Sequence, residues 1–486
     1  MGSRLHEATS RSDGARAQLH RKLSSVGSDF DAALYEVRRK IHPRSVHGKF
    51  ASWRIALVLA TQLIFYGLPW LSWNGRQAVL FELAERKFYI FGLVFWPQDF
   101  IFLTALLVIS AIALFLFTAI AGRLFCGYAC PQTVYTEIFL WVESWIEGDH
   151  VQRTRLDRQP FSGRKLGLRA AKHGVWIALA LWTGFTFVGY FTPIHLLGGE
   201  VMSWTLGPWE TFWISFYALA TYGNAGWMRE QVCKYMCPYS RFQGVMVDSD
   251  TLVITYDRAR GEPRGSRSRS AAARASGLGD CVNCNICVQV CPTGIDIRDG
   301  LQYECIGCGA CIDACDQVME KMGYVRGLIR YSTENALKSG LSTSGIARRV
   351  FRFRTAIYSA LLLLATAAFL GGLYLRSPVK VDVIRDRAAL ARETRDGLIE
   401  NVYRLQIMNT GEAARRFVVR ATGLPGLVVA ARQPIVVPAA STESAVIALH
   451  VDPVAVAAGF HAVVIHVEDV DDPAVRADEK SKFYLR

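Results

Sequence analysis

Residues 125–131 read FCGYACP and residues 232–238 read VCKYMCP, each directly after an apolar run. A C-x-x-x-C-P pattern repeated in this position predicts a duplicated helical hairpin that twice delivers two thiols to a membrane boundary. Five segments hold enough continuous apolar sequence to cross a bilayer, which takes about 20 residues. They are 53–73, 99–121, 174–194, 208–227 and 355–375. The fourth, PWETFWISFYALATYGNAGW, is aromatic and carries polar residues, and its competing reading is an interfacial helix.

The remaining composition fits that frame. A chain of 486 residues, 51% hydrophobic with net charge +13, is too long for one compact domain and too apolar for an ordinary soluble enzyme. Its basic residues flank the apolar runs and form no nucleic-acid motif, so they read as cytoplasmic loops. Arg38, Arg39, Lys40, Arg44, Lys49 and Arg54 precede the first span, and Arg153 to Lys172 follow the second. Residues 192–207 contain no Lys or Arg, while Arg348, Arg349, Arg352 and Arg354 precede the fifth span. This places the N-terminus and both C-x-x-x-C-P pairs inside and everything after about residue 376 outside. The opening segment is polar, with no apolar core, and reads as a cytoplasmic extension rather than a secretory signal.

None of the 12 cysteines lies after residue 376, so a disulfide framework is not expected. Cys281, Cys284, Cys287 and Cys291 form one C-x-x-C-x-x-C-x-x-x-C run, and Cys305, Cys308, Cys311 and Cys315 form a second. Bacterial ferredoxins hold two [4Fe–4S] clusters with this spacing, the fourth cysteine of each run reaching the other cluster. Cys281, Cys284, Cys287 and Cys315 are therefore expected on one cluster, and Cys305, Cys308, Cys311 and Cys291 on the other. Zinc is the competing metal, but four such closely spaced cysteines suit it poorly. Asp316 stands where a second proline is usual.

Cys126, Cys130, Cys233 and Cys237 remain. At i and i+4 each pair shares a face if its helix continues, and Pro131 and Pro238 limit how that helix runs on. Four converging thiolates would make a soft site for Cu(I) or for iron–sulfur, with Arg123 and Lys234 near enough in sequence to favour the thiolates. Inert buried cysteines are the bland alternative. They have no packing reason to recur at matched positions.

His173 and His195 read as residues at opposite ends of the third span, which excludes a haem held between them. RKFYIFGLVFWPQDF (86–100) reads as an aromatic belt, with Gln98 or Asp99 as a less favoured quinol contact. RARGEPRGSRSRSAAARASGLG (258–279) reads as a flexible, basic linker. Residues 377–486 alternate in seven short runs, from NVYRLQIMN to KFYLR, as an immunoglobulin-like β-sandwich does.

The expected fold class is thus a multi-domain membrane protein: a transmembrane helical bundle, an α+β 2[4Fe–4S] ferredoxin domain and a β-sandwich. The domain limits are 1–52 (basic N-terminal segment), 53–255 (four membrane helices) and 256–279 (linker). They continue with 280–330 (ferredoxin domain), 331–376 (connector and fifth span) and 377–486 (β-sandwich).

Taken in this order, RKFYIFGLVFWPQDF, FCGYACPQTVYTEIF, VCKYMCPYSRFQGVM, the two cluster runs and the outer sandwich resemble the FixG/RdxA/CcoG family. Its members are accessory proteins for cbb-type cytochrome c oxidase assembly. The resemblance implies an inner-membrane cupric reductase that turns Cu(II) into Cu(I) on the cytoplasmic side, with a periplasmic C-terminal domain. It implies copper handling at Cys126, Cys130, Cys233 and Cys237. As partners it implies oxidase assembly factors, copper carriers and an electron donor that the sequence does not identify. The four thiols would meet within one molecule or across a homodimer. The same hairpins also resemble the membrane ferredoxins of nitrate and nitrous oxide reduction, which makes a quinol-linked electron conduit the rival function. A non-enzymatic assembly scaffold is the third.

Overall fold

The computed structural model describes residues 40–268, 277–340, 345, 352–386 and 389–485. The N-terminal stretch 1–39, linker residues 269–276 and the basic pair Arg348 and Arg349 lie outside the described residues.

Eight helices carry the architecture, in chain order α1 (Lys49–Gly67), α2 (Phe100–Ala121), α3 (Pro131–Glu147), α4 (Gly163–Val188), α5 (Pro208–Thr221), α6 (Pro238–Met246), α7 (Ala310–Met322) and α8 (Phe353–Tyr374). Among the described residues, Lys49–Trp70, Pro97–Ala121 and Phe353–Tyr374 are long and apolar enough to cross a membrane. The other two expected spans are helical but differ in extent. α4 starts eleven residues before position 174, because Ser162 caps its N-terminus by accepting from Lys165 N at 3.3 Å. It ends at Val188, so His173 lies inside α4 and His195 sits on a separate helix, Ile194–Ser203. α5 continues as a π-helical segment through Met228, and the 208–227 stretch is one helical rod. α4 and α5 touch backbone to backbone at Gly184, where an added Cβ would lie 2.4 Å from Ile214 O.

The segment between α1 and α2 is largely short β-strands. A tight hairpin joins β1 (Ser72–Trp73) to β2 (Arg76–Gln77) through Asn74 and Gly75, both left-handed as an Asn-Gly turn requires. β3 (Val79–Glu82), β4 (Lys87–Ile90) and β5 (Leu93–Phe95) form an antiparallel meander. Its apolar face has somewhere to go: Leu80, Tyr89, Val94 and Trp96 are buried together with Met408 of the C-terminal domain. Asp99 is buried too and bonded to Arg376 at 2.6 Å and to Lys380, while Gln98 donates to Asp382 at 2.8 Å. Both polar groups thus bond to the C-terminal domain or to the segment leading into it.

β6 (Val253–Tyr256) pairs antiparallel with β7 (Ile329–Ser332) and belongs to the ferredoxin domain rather than to the membrane domain. The described part of the linker is laid against that domain. Arg260 bonds Asp280 at 2.5 Å, Gly265 N donates to Cys281 O, and Arg267 lies over the Tyr324 ring. Arginine made this stretch look like a free tether; the carboxylates and carbonyls of the cluster domain give those side chains partners.

The C-terminal domain has two antiparallel sheets. One runs β12 (Val428–Ala430), β14 (Ser441–Val451), β10 (Ile399–Asn409), β8 (Val379–Arg385), with β9 (Arg392–Glu393) on β10. The other runs β13 (Ile435–Val437), β11 (Arg415–Thr422), β15 (Gly459–Asp469), β16 (Arg476–Leu485). Alternate residues of β10, namely Ile399, Tyr403, Leu405 and Ile407, point into one apolar core with Phe417 and Phe483. β8 and β9 extend the seven runs read from the sequence.

Candidate iron–sulfur and thiol site

The two ferredoxin runs fold as a matched pair. Asn283 and Asn285 in the first run, and Gly307 and Gly309 in the second, all adopt left-handed backbone, with φ of 52°, 55°, 67° and 75°. These turns curl each C-x-x-C-x-x-C loop. Asparagine tolerates the conformation at a surface. The second run has no such room, since a Cβ on Gly309 would lie 2.8 Å from the Phe50 side chain. Cys281, Cys284, Cys287 and Cys315 line one small cavity of the domain. Cys291, Cys305, Cys308 and Cys311 line another, together with Cys287. Each lining joins three cysteines of one run to the fourth of the other, and two sets of four sulfurs are a donor set suited to [4Fe–4S] clusters. Burial pushes Cys287 up to about 11 and Cys305 and Cys315 up to about 12, so a metal has to displace their protons.

The second cysteine run is the one that faces the membrane domain. Cys126 packs into the same apolar cluster as Ile306, Cys308 and Ala310. Gly127 permits this: a Cβ there would sit 2.9 Å from Cys308 Cα, Gly307 O and Ile306 O. Arg123 fastens the contact. Its guanidinium donates to Ser240 O at 2.6 Å and to Tyr303 O, and lies 4.6 Å from the centre of the Tyr303 ring.

Asp313, inside the second run, reaches the first membrane helix. Its carboxylate accepts from Phe50 N at 3.2 Å and Ala51 N at 2.7 Å, capping α1, whose own N-cap Gly48 has no side chain. Asp313→Ala is expected to cost about 1–2 kcal/mol of docking stability. Hydrogen exchange at the start of α1 would rise, and unchanged protection there would refute the cap. Sequence reading could not find this residue, because its partners lie 262 or more positions away.

The two C-x-x-x-C-P segments also match each other in detail, though not as continued α-helices. Cys130 N donates to Phe125 O and Cys237 N to Val232 O, at 3.0 and 2.9 Å, so each pair closes a wide i→i−5 turn. Cys130 and Cys237 are then extended residues, and Pro131 and Pro238 open new helices, α3 and α6. The prolines start helices where the sequence suggested that they restrict them. Gln132 ties the two copies together, donating to Asn224 O at 2.9 Å and Arg229 O at 3.1 Å.

The four thiols lie within electrostatic reach of one another: Cys233 responds to Cys130, Cys126 and Cys237. Among the described residues, no three His, Cys, Asp or Glu are gathered tightly enough to hold one metal ion. Burial pushes Cys126 up to about 11, against a hydrogen bond with Gln243, and Cys233 up to about 12. Cys130 is raised by burial as well, with the N–H groups of Thr133 and Gln132 at the start of α3 opposing it. Arg123 lowers Cys126 and Cys233, but burial outweighs it, so the expected thiolate activation gives way to neutral thiols.

The chain is 39% identical over 423 residues to the nitrogen fixation protein FixG of Rhizobium meliloti, covering 81% of both chains. It is 41% identical to RdxA and to RdxB of Cereibacter sphaeroides, covering 81% and 80% of this chain and 84% and 83% of those proteins. The chain belongs to the FixG/RdxA family. The C-terminal family, described as the IG-like fold at the C-terminal of FixG, matches residues 369–486. A "4Fe-4S dicluster domain" matches 228–334 and a "4Fe-4S binding domain" matches 103–155. A crystal structure of a FixG-related protein from Vibrio parahaemolyticus is 22% identical and covers 23% of this chain and 99% of its own, with a TM-score of 0.21. With these two 4Fe-4S matches, this chain is an iron–sulfur protein of the electron-transfer class.

Proposed function

We propose that this protein is a membrane-bound cupric reductase: Cu(II) takes up one electron and is held as Cu(I) by Cys126, Cys130, Cys233 and Cys237. In this reading five helices span the inner membrane, the cysteines face the cytoplasm, the β-sandwich is periplasmic, and the Cu(I) serves cbb-type oxidase assembly. The observation that carries it is the packing of Cys126 against the Cys308 loop, which puts an electron-transfer domain in contact with a thiol-rich site.

Cys281, Cys284, Cys287 and Cys315 would hold one [4Fe–4S] cluster, and Cys291, Cys305, Cys308 and Cys311 the other. When bound, such clusters supply one-electron transfer at potentials tuned by burial and hydrogen bonding. The chain's own residues give the relay a direction. Cys284 is the one exposed thiol of the twelve and marks the side open to a donor. The other set abuts the Cys126 turn. An opening on the ferredoxin side favours a soluble donor over a quinol. The four sulfurs then select the product, since thiolates prefer Cu(I) to Cu(II).

Cys126→Ser and Cys233→Ser are expected to lose copper reduction while the iron–sulfur absorption survives. Anaerobic copper titration of the purified protein, followed by absorption and EPR, checks both. The neutral thiols add a pH test. Cys126 and Cys233 stay protonated at pH 7, so each thiol recruited by Cu(I) releases a proton. Affinity should rise roughly tenfold per pH unit for each such thiol up to about pH 11. A pH-independent affinity would refute thiol ligation.

A second reading has its own observation. The 4Fe-4S family match at 103–155 covers only two cysteines, Cys126 and Cys130, which favours a third cluster on the four membrane-edge thiols. Bleaching of part of the spectrum in Cys126→Ser, with iron for three clusters per wild-type chain, would establish it in place of copper.

A further inference from the structure

Gln243 lies on α6, six residues beyond Cys237, and is fully buried beneath the thiol site. Its Oε1 accepts from Cys126 Sγ at 3.3 Å, while its Nε2 is buried with only the Tyr239 hydroxyl beside it. An NH2 carries two hydrogens, and with one at most turned to that hydroxyl the second is buried unpaired, which is costly and calls for an explanation. The thiol chemistry supplies one. A protonated Cys126 donates, so the carboxamide presents its oxygen. A metal-bound thiolate can only accept, and the same carboxamide then has to present its NH2.

We propose that Gln243 is the built-in hydrogen-bond donor of the four-thiol site, turning its Nε2 onto the Cys126 sulfur once that thiol has lost its proton to a soft metal. The assignment rests on the copper reading for the identity of the metal. Cys126 is more electron-rich when bound to Cu(I) than when bound to Cu(II), so the donor favours the reduced ion. Gln243 is thus a positioning residue that tunes a ligand and does not touch the ion. Its neighbourhood keeps it in place: Tyr239, one turn earlier on α6, is pinned by Thr118 at 2.6 Å, and Val247 N closes on Gln243 O at 3.1 Å.

The test uses the full-length protein in detergent with its clusters loaded. Cu(I) affinity is measured by competition with a colorimetric chelator for wild type, Gln243→Leu, Gln243→Glu and each variant in a Cys126→Ser background. Gln243→Leu is expected to weaken Cu(I) about 10- to 100-fold, as loss of a partner behind a metal ligand does, with the iron–sulfur spectrum unchanged. Gln243→Glu keeps the size but only accepts, and should weaken it at least as much. In Cys126→Ser neither change should have further effect, which separates a bond to that sulfur from a packing role. Equal affinity of wild type and Gln243→Leu overturns the assignment and leaves the copper reading standing. Wild type that takes no Cu(I) and carries iron for two clusters only overturns both. If it carries iron for a third cluster instead, the copper reading falls, and the third potential should drop in Gln243→Leu; an unchanged potential overturns the assignment.

Discussion

Gly127→Val is expected to uncouple the ferredoxin domain from the thiol site. A single Cβ at this position meets three backbone atoms of the Ile306–Cys308 loop at 2.9 Å, and backbone, unlike a flexible side chain, cannot turn aside. The branched side chain adds bulk to that collision, so the loop has to move away. Reduction of the clusters by an added low-potential donor should stay near wild type, because the collision falls on the Ile306–Cys308 loop and not on Cys284. Copper reduction should fall by two orders of magnitude or more, an estimate of about the loss seen when reacting groups are displaced by 1 Å. Gly127→Ala should show a smaller loss in the same direction. Wild-type copper reduction in Gly127→Val, with both clusters present, would remove the Cys126–Cys308 contact from the electron path.

The second large effect concerns stability. Glu143 on α3 is fully buried and faces three cations: Arg229 at 2.8 Å, and Arg153 and Lys172 at 3.5 Å. Glu147 takes Lys172 at 2.7 Å, and Trp176 lies under both Lys172 and Arg229. Burial already pulls the Arg153 guanidinium down, with Glu143 resisting. Removing this carboxylate strands buried positive charge, a defect that costs about 3–5 kcal/mol. Glu143→Ala should therefore lower the unfolding temperature in detergent sharply and loosen the segment from Tyr222 to Arg229 that Gln132 and Glu143 hold together. Adding Arg229→Met should recover part of the loss, since it removes one of the stranded charges. A Glu143→Ala protein as stable as wild type would show that water reaches this network.

These two residues mark the limit of what was legible beforehand. Cysteine spacing carried the ferredoxin runs, because cluster ligation depends on short-range geometry that a sequence displays directly. Period-two alternation carried the sandwich for a similar local reason. Gly127 was in plain view inside FCGYACP, yet nothing nearby says that a loop from residue 306 needs its hydrogen atom. Glu143, Gln243 and Asp313 carry no signal of their own in the sequence. Their meaning comes from partners far along the chain, which composition and periodicity do not record. The stretch 86–100 shows the same limit: Tyr89 and Trp96 are buried with Met408 of the sandwich, a contact that its aromatic composition does not record.

The cap that Asp313 places on α1 has a consequence for biogenesis. The helix is synthesised 262 residues before its cap, which at about 5–20 residues per second is a delay of tens of seconds. Throughout that interval the N-terminal end of the first helix lacks the carboxylate that accepts from Phe50 N and Ala51 N. It closes only when the CIDAC segment has been made and folded, a step that a cluster bound by its cysteines would promote. Iron supply would thus govern the final locking of the membrane domain. Iron-starved cells should accumulate full-length chains that are inserted yet still open to proteolysis near residue 50.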